Sequence, residues 1–171
     1  SAAVTAVLTG ADVETVTGRG AGLSSEGLER KVRAIQTALA LHRPDPSDPL
    51  DVLHKVGGLD IAGLAGLYLG AAACGLPVVL DGVISCAAAL VAVRLCPEVR
   101  GYLLAGHRSE EPAGALLLRE LELQPFITAG MRLGEGTGAV AAVSLLDLVF
   151  AAYDGMPRFD EVGIEAYQPL V

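Results

Sequence analysis

The residues of this chain that are placed to do chemistry gather around glycines. In "RLGEGTGAV", residues 132–140, one carboxylate, Glu135, stands between Gly134 and Gly136 just before an apolar run. Glycines at 134, 136 and 138 permit unusual dihedrals and let a ligand approach the backbone. Two roles fit Glu135. It favours the N-terminus of the helix that follows, or it serves as a general base in a dry crevice. In "GHRSEEP", residues 106–112, Ser109 and nearby amides sit at a helix entrance. That is a seat for an anion, and Ser109 equally suits an N-cap. "TGRGAGL", residues 17–23, followed by Lys31, suggests a phosphate loop with a cation inside the next helix, although it lacks P-loop spacing. Asp81 closes an apolar segment, a position that meets ribose hydroxyls in α/β folds. Asp60 suits a helix cap.

The elements that must hold these residues follow a repeating grammar. "SAAVTAVLTG" reads as the inside of a helix closing on Gly10, and the abrupt start suggests a chain cut from something longer. Residues 25–43 carry apolar positions 28, 32, 35, 39 and 41 at helical spacing, and "PDPSDP" follows as a linker. "LDVLHKVGG" is a short helix. A buried helix begins near Asp60 and stops at Gly75. "PVVLDG" is a short apolar strand, and "VISCAAALVAVRLC" a helix stopped by Pro97. "GYLLAGHRS" is a second strand, and "EPAGALLLRELEL" a helix with Pro112 in its first turn. A long apolar helix follows Gly136, with Thr137 as its expected cap. Short apolar strands alternating with helices predict βαβ units: one α/β domain over 1–171, Rossmann-like, three-layered, with a mainly parallel sheet. Ligands bind beyond the carboxyl ends of such strands. Asp81-Gly82, Gly106 to Ser109 and Gly134 to Gly138 converge there.

Composition excludes several partners. The chain has 12 Lys plus Arg against 20 Asp plus Glu, and aromatic residues reach only 4%. Phosphate neutralisation and base stacking lack their raw material, so nucleic acid is not expected. The uncharged run 61–80 contains Pro77 and breaks at Gly75 into a helix and a strand, so no membrane span is expected there. Cys74, Cys86 and Cys96 read as small buried hydrophobes in a reducing cytoplasm. His42, His54 and His107 show no metal-ligand spacing, and Ser85 and Ser144 lack a G-x-S-x-G context.

Five motifs in order, "VTGRGAGL", "DPLDVLHKVGGLDIAGLAG", "LPVVLDGVIS", "YLLAGHRSEEP" and "MRLGEGTGA", resemble the nicotinate-nucleotide:dimethylbenzimidazole phosphoribosyltransferase family. The resemblance covers essentially the whole chain, and about the second half of a typical member. It implies transfer of phosphoribose from nicotinate mononucleotide to 5,6-dimethylbenzimidazole, giving α-ribazole phosphate and nicotinate in the assembly of the cobalamin lower ligand. It implies that Glu135 is the general base and that Leu133 packs against the bound base. It implies that Gly20, Lys31 and Ser109 hold the 5′-phosphate and that Asp81 and Gly82 lie near the ribose. Asp60 falls within a matching motif as a further substrate-binding candidate. The resemblance also implies a homodimer whose reaction requires no metal, and no cofactor is expected. Members carry a glycine-rich loop upstream of the point matching Ser1, which this sequence lacks. The competing reading is a non-catalytic remnant that binds a nucleotide or a partner.

Overall fold

Local chemistry marks where each element begins and ends. In the computed structural model, which describes residues 1–20, 22–158, 161–163, 165 and 167–169, α1 (Ala2–Thr9) ends where Gly10 turns left-handed at φ 69°. After α2 (Val13–Val16), α3 (Ser25–His42) is opened by the Ser24 side chain, which accepts the Gly27 N–H at 3.1 Å. Asp48 accepts the amides of Leu50 and Asp51 to open α4 (Pro49–Val56), and Pro49 fills the first turn, where no donor is needed. Then come α5 (Leu59–Ala73), β1 (Val78–Leu80), α6 (Val83–Leu95), a 3-10 turn (Pro97–Tyr102) and β2 (Leu103–His107). The series closes with α7 (Gly114–Glu120), β3 (Pro125–Ile127) and α8 (Thr137–Gly155).

The three strands form a parallel sheet in the order β1-β2-β3, with Leu80 opposite Ala105 and His107 opposite Ile127. α6 joins β1 to β2 and α7 joins β2 to β3, and the two helices pack on each other. α8 lies against all three strands. The result is the α/β, Rossmann-like arrangement expected. Residues Cys86 to Ala92 of α6 are buried without interruption, and Leu80, Leu117, Leu121, Val4 and Val52 complete the core. α8 sits close to the sheet at its start. A Cβ on Gly106 would come within 2.6 Å of the Leu80 carbonyl oxygen and 3.1 Å of the Gly138 carbonyl oxygen.

Several expectations need correction. β3 was not anticipated, because three residues opening on a proline show no period. The helix expected over 111–123 is regular only from Gly114 to Glu120, after a turn containing Pro112. Thr137 is the first residue of α8 rather than its cap, which is Gly136. Of the cysteines only Cys86 is buried; Cys74 is exposed at the end of α5 and Cys96 is intermediate. The run 61–80 divides between α5 and β1 as expected. Among the described residues, the helix long and apolar enough to cross a membrane, by length and composition only, is instead α8. Val140, Leu148, Phe150 and Tyr153 of that helix are exposed.

Candidate functional site

A cleft of about 490 Å³ opens at the carboxyl ends of the strands. Seven of the eight residues expected at a site line it: Gly20, Lys31, Asp81, Gly82, Ser109, Leu133 and Glu135. Asp60 does not. It lies exposed in the first turn of α5, which is capped by Gly58 without a side-chain bond, and Leu64, one turn on, lines the cleft instead.

Each wall has a local cause. Lys31, in the second turn of α3, donates from Nζ to the Gly18 carbonyl at 2.8 Å, tying the glycine loop to the helix. Arg19 fastens the other side of that loop, donating to the Leu23 carbonyl at 2.8 Å and to Ser25 Oγ at 3.1 Å. Gly20 and Gly22 both take positive φ, which that tight turn requires. Gly18 is buried beneath the Glu111 carboxylate, and a side chain there would run into it. Ser109 is buried just beyond β2, and its Oγ accepts the Glu111 N–H at 3.2 Å. It is therefore not a helix N-cap, since α7 begins five residues later.

The third wall is the segment that carries Glu135. Gly134, Glu135 and Gly136 have φ of 80°, 58° and 77°, three consecutive left-handed residues. For a residue with a Cβ this conformation costs about 1–2 kcal/mol, so the surroundings must impose it. Asp81 at the end of β1 does so. Its Oδ1 accepts the N–H of Gly138 at 2.9 Å and of Ala139 at 3.3 Å, and its Oδ2 accepts the N–H of Gly136 at 3.3 Å. Thr137 Oγ1 adds a bond to the Gly134 carbonyl at 2.7 Å. A strand-end aspartate suggested ribose contact. In the structure its carboxylate is engaged by three amides and caps α8. Glu135 is exposed at the rim, not enclosed, because no described element covers the outer side of its loop. Leu133 beside it is 75% exposed, an apolar surface held at the mouth of the cleft.

His107, Glu111 and Arg132 also line the cleft, and none was among the expected site residues. His107 falls within the Gly106-to-Ser109 segment expected at the crevice, where only Ser109 is singled out as a site residue. The place of His107 as the last residue of β2 is the signal that could have found it, by the reasoning that selected Asp81. Its side chain is 2% exposed, with Nδ1 3.8 Å from Asp81 Oδ1 and no hydrogen-bond partner. Lys31 and Arg132 supply positive charge to the cleft, Glu111 and Glu135 negative. Among the described residues no three His, Cys, Asp or Glu side chains converge to hold a metal ion. The arrangement can seat an anion near Lys31 and Ser109, and offer a carboxylate to whatever rests against Leu133.

A family model described as phosphoribosyltransferase matches residues 1–164. Among similar curated proteins, the nicotinate-nucleotide–dimethylbenzimidazole phosphoribosyltransferase of Desulforudis audaxviator is 54% identical over 164 residues, which are 96% of this chain and 46% of that protein. The protein of the same name from Acetivibrio thermocellus is 47% identical over 171 residues, 100% of this chain and 49% of its own length. The crystal structure of CobT from Thermus thermophilus superposes with a TM-score of 0.87 at 44% identity, covering 96% of this chain and 49% of that one. The chain thus spans about half the length of the curated relatives it matches.

Proposed function

Because this chain belongs to the phosphoribosyltransferase family, we propose that its cleft transfers phosphoribose from nicotinate mononucleotide to 5,6-dimethylbenzimidazole, in the assembly of the cobalamin lower ligand. The observation that carries the reading is that Lys31, Ser109 and Glu135, from three separate segments, line one cleft. Lys31 and Ser109 seat the 5′-phosphate, with loop amides around Gly20 completing the anion site. Gly82, lacking a side chain, leaves room for the ribose beside Ser109. Leu133 offers its apolar surface to the flat base.

Glu135 takes the proton of the benzimidazole N–H. As that proton leaves, the ring nitrogen gains the electron pair with which it attacks the anomeric carbon. The bond from that carbon to the nicotinate nitrogen breaks on the opposite face, so the configuration inverts and nicotinate departs with the bonding pair. The flanking glycines keep side chains out of the path of the aromatic ring. We also assign the protein to the cytoplasm as a homodimer. The exposed apolar side of α8 supports an apolar interface, and free thiols suit a reducing compartment. A monodisperse monomer in light scattering at micromolar concentration overturns the dimer.

The chemical assignment is tested by Glu135→Gln in the enzyme carrying this sequence. The amide keeps the shape but cannot accept the proton, so turnover falls by about 10²–10⁴. The KM for nicotinate mononucleotide changes little. Lys31→Ala does the reverse and raises that KM most, since it removes a contact made in ground and transition states alike. Near-normal turnover in Glu135→Gln returns the residue to a structural role at the start of α8.

A further inference from the structure

We propose that Asp81 is a positioning residue, whose carboxylate clamps the first turn of α8 and thereby aims Glu135 into the cleft. The inference rests on the catalytic role given to Glu135 above. Three amides within four residues, those of Gly136, Gly138 and Ala139, donate to this one carboxylate. The first of them ends, and the other two follow, a left-handed run that includes a residue with a side chain. Without an external acceptor, those N–H groups at the helix start have no intrahelical partner, and Glu135 keeps only the local bonds from Thr137 to the Gly134 carbonyl to hold its unfavourable conformation. The negative charge of Asp81 also meets the positive end of the helix dipole.

The floor of the clamp is as closely defined as its grip. His107 lies buried under Gly138, where a Cβ would overlap its ring, coming within 2.6 Å of Cγ and closer still to Nδ1 and Cε1. The first turn of α8 is thus held from the side by Asp81 and from below by His107. Asp81 follows the last residue of β1 and His107 ends the adjacent parallel β2, so the sheet itself sets the position of the loop. With its oxygens engaged this way, Asp81 acts on the reaction through Glu135 and not as a ligand of the ribose.

The test compares Asp81→Ala and Asp81→Asn with the unaltered chain. Amide hydrogen exchange is read at Gly136, Gly138 and Ala139, and trypsin cleavage after Arg132. In Asp81→Ala the three amides exchange about 10- to 100-fold faster, the worth of a hydrogen bond to a charged acceptor. Cleavage after Arg132 accelerates in parallel. Asp81→Asn keeps one carbonyl acceptor in the same shape, so it shows an intermediate effect and serves if the alanine variant does not fold. In the enzyme carrying this sequence, the asparagine variant lowers kcat by about tenfold, the loss of one such bond, with the KM for nicotinate mononucleotide little changed. Unchanged exchange in both variants overturns the proposal. So does a raised KM with kcat retained, which makes Asp81 a substrate ligand, or loosened amides with kcat unaffected. If Glu135→Gln keeps its turnover while the Asp81 variants expose the amides, the general-base reading fails and the clamp itself stands.

Discussion

Substitution of Gly138 by alanine is the most demanding probe of how α8 meets the sheet. The added methyl has no free volume, because it overlaps the imidazole of His107. That ring cannot swing aside, being 2% exposed beneath the helix. Either the core is compressed, at about 1–3 kcal/mol, or the first turn of α8 lifts and strains its bonds to Asp81, each worth about 1.5–3 kcal/mol as bonds to a charged group. The better helix propensity of alanine returns less than about 1 kcal/mol at a first turn. A net loss of about 2–3 kcal/mol follows, or about 4–12 °C in Tm for a chain of this size. Urea titration followed by circular dichroism measures it. Gly63→Ala is the control, since nothing lies within 4 Å of its added methyl in the middle of α5. That variant gains about 0.5–1 kcal/mol. His107→Ala combined with Gly138→Ala removes the overlap, so the pair is less destabilised than the sum of the single changes. A Gly138→Ala chain as stable as the parent would refute the reasoning.

Glu135→Gly removes the left-handed strain of a residue with a Cβ, so it raises stability by about 0.5–1 kcal/mol in the same titration while abolishing turnover; a destabilised variant counts against imposed strain. Alkaline pH provides a separate measurement. Burial, aided by the charge of Asp81, pushes the Cys86 thiol up to about 12 from its ordinary 9.0. Burial, with Cys86 and Asp81 contributing, pushes the Tyr68 hydroxyl to about 12 from 10.0. Both stay protonated in the folded chain while the unfolded chain ionises. The stability they contribute is therefore complete below about pH 9 and is lost as pH rises towards 12, at about 1.4 kcal/mol per pH unit for each group. Urea midpoints between pH 8 and 11 record the slope, and Cys86→Ala removes its first part; identical slopes in both chains would sink the assignment.

The parts of the site that depend on local sequence were legible. Glycines around Glu135 and after Thr17 announced unusual backbone, and the left-handed run and glycine loop are what they produce. Apolar segments closed by Asp81 and by His107 marked strand ends, so the position of the cleft followed. What Asp81 does there was not legible. Its partners are backbone amides far along the chain, and an amide carries no mark in the sequence of what it will donate to. Asp60 failed for a related reason: it shares a helix face with Leu64 but stands one turn earlier, and how far along α5 the cleft reaches is set by docking, which leaves Leu64 and not Asp60 in its lining. His107 lies in the right segment, but a lone histidine without metal-ligand spacing carries no mark in the sequence of a role of its own. β3 escaped because Pro125, Phe126 and Ile127 are too few to display alternation, and only pairing with β2 makes them a strand.

The clamp on α8 also orders events in time. Asp81 lies 55 to 58 residues from the amides it holds. Closing a chain segment of that length costs about 3–4 kcal/mol in entropy, which only docking of the intervening strands and helices can offset. Local helices form within microseconds, but contacts between distant segments must wait for the sheet. The left-handed turn at Glu135 therefore belongs to the last stage of folding. A chain that has recovered its helical signal has not yet recovered its carboxylate, and during refolding the return of the site lags behind the return of secondary structure.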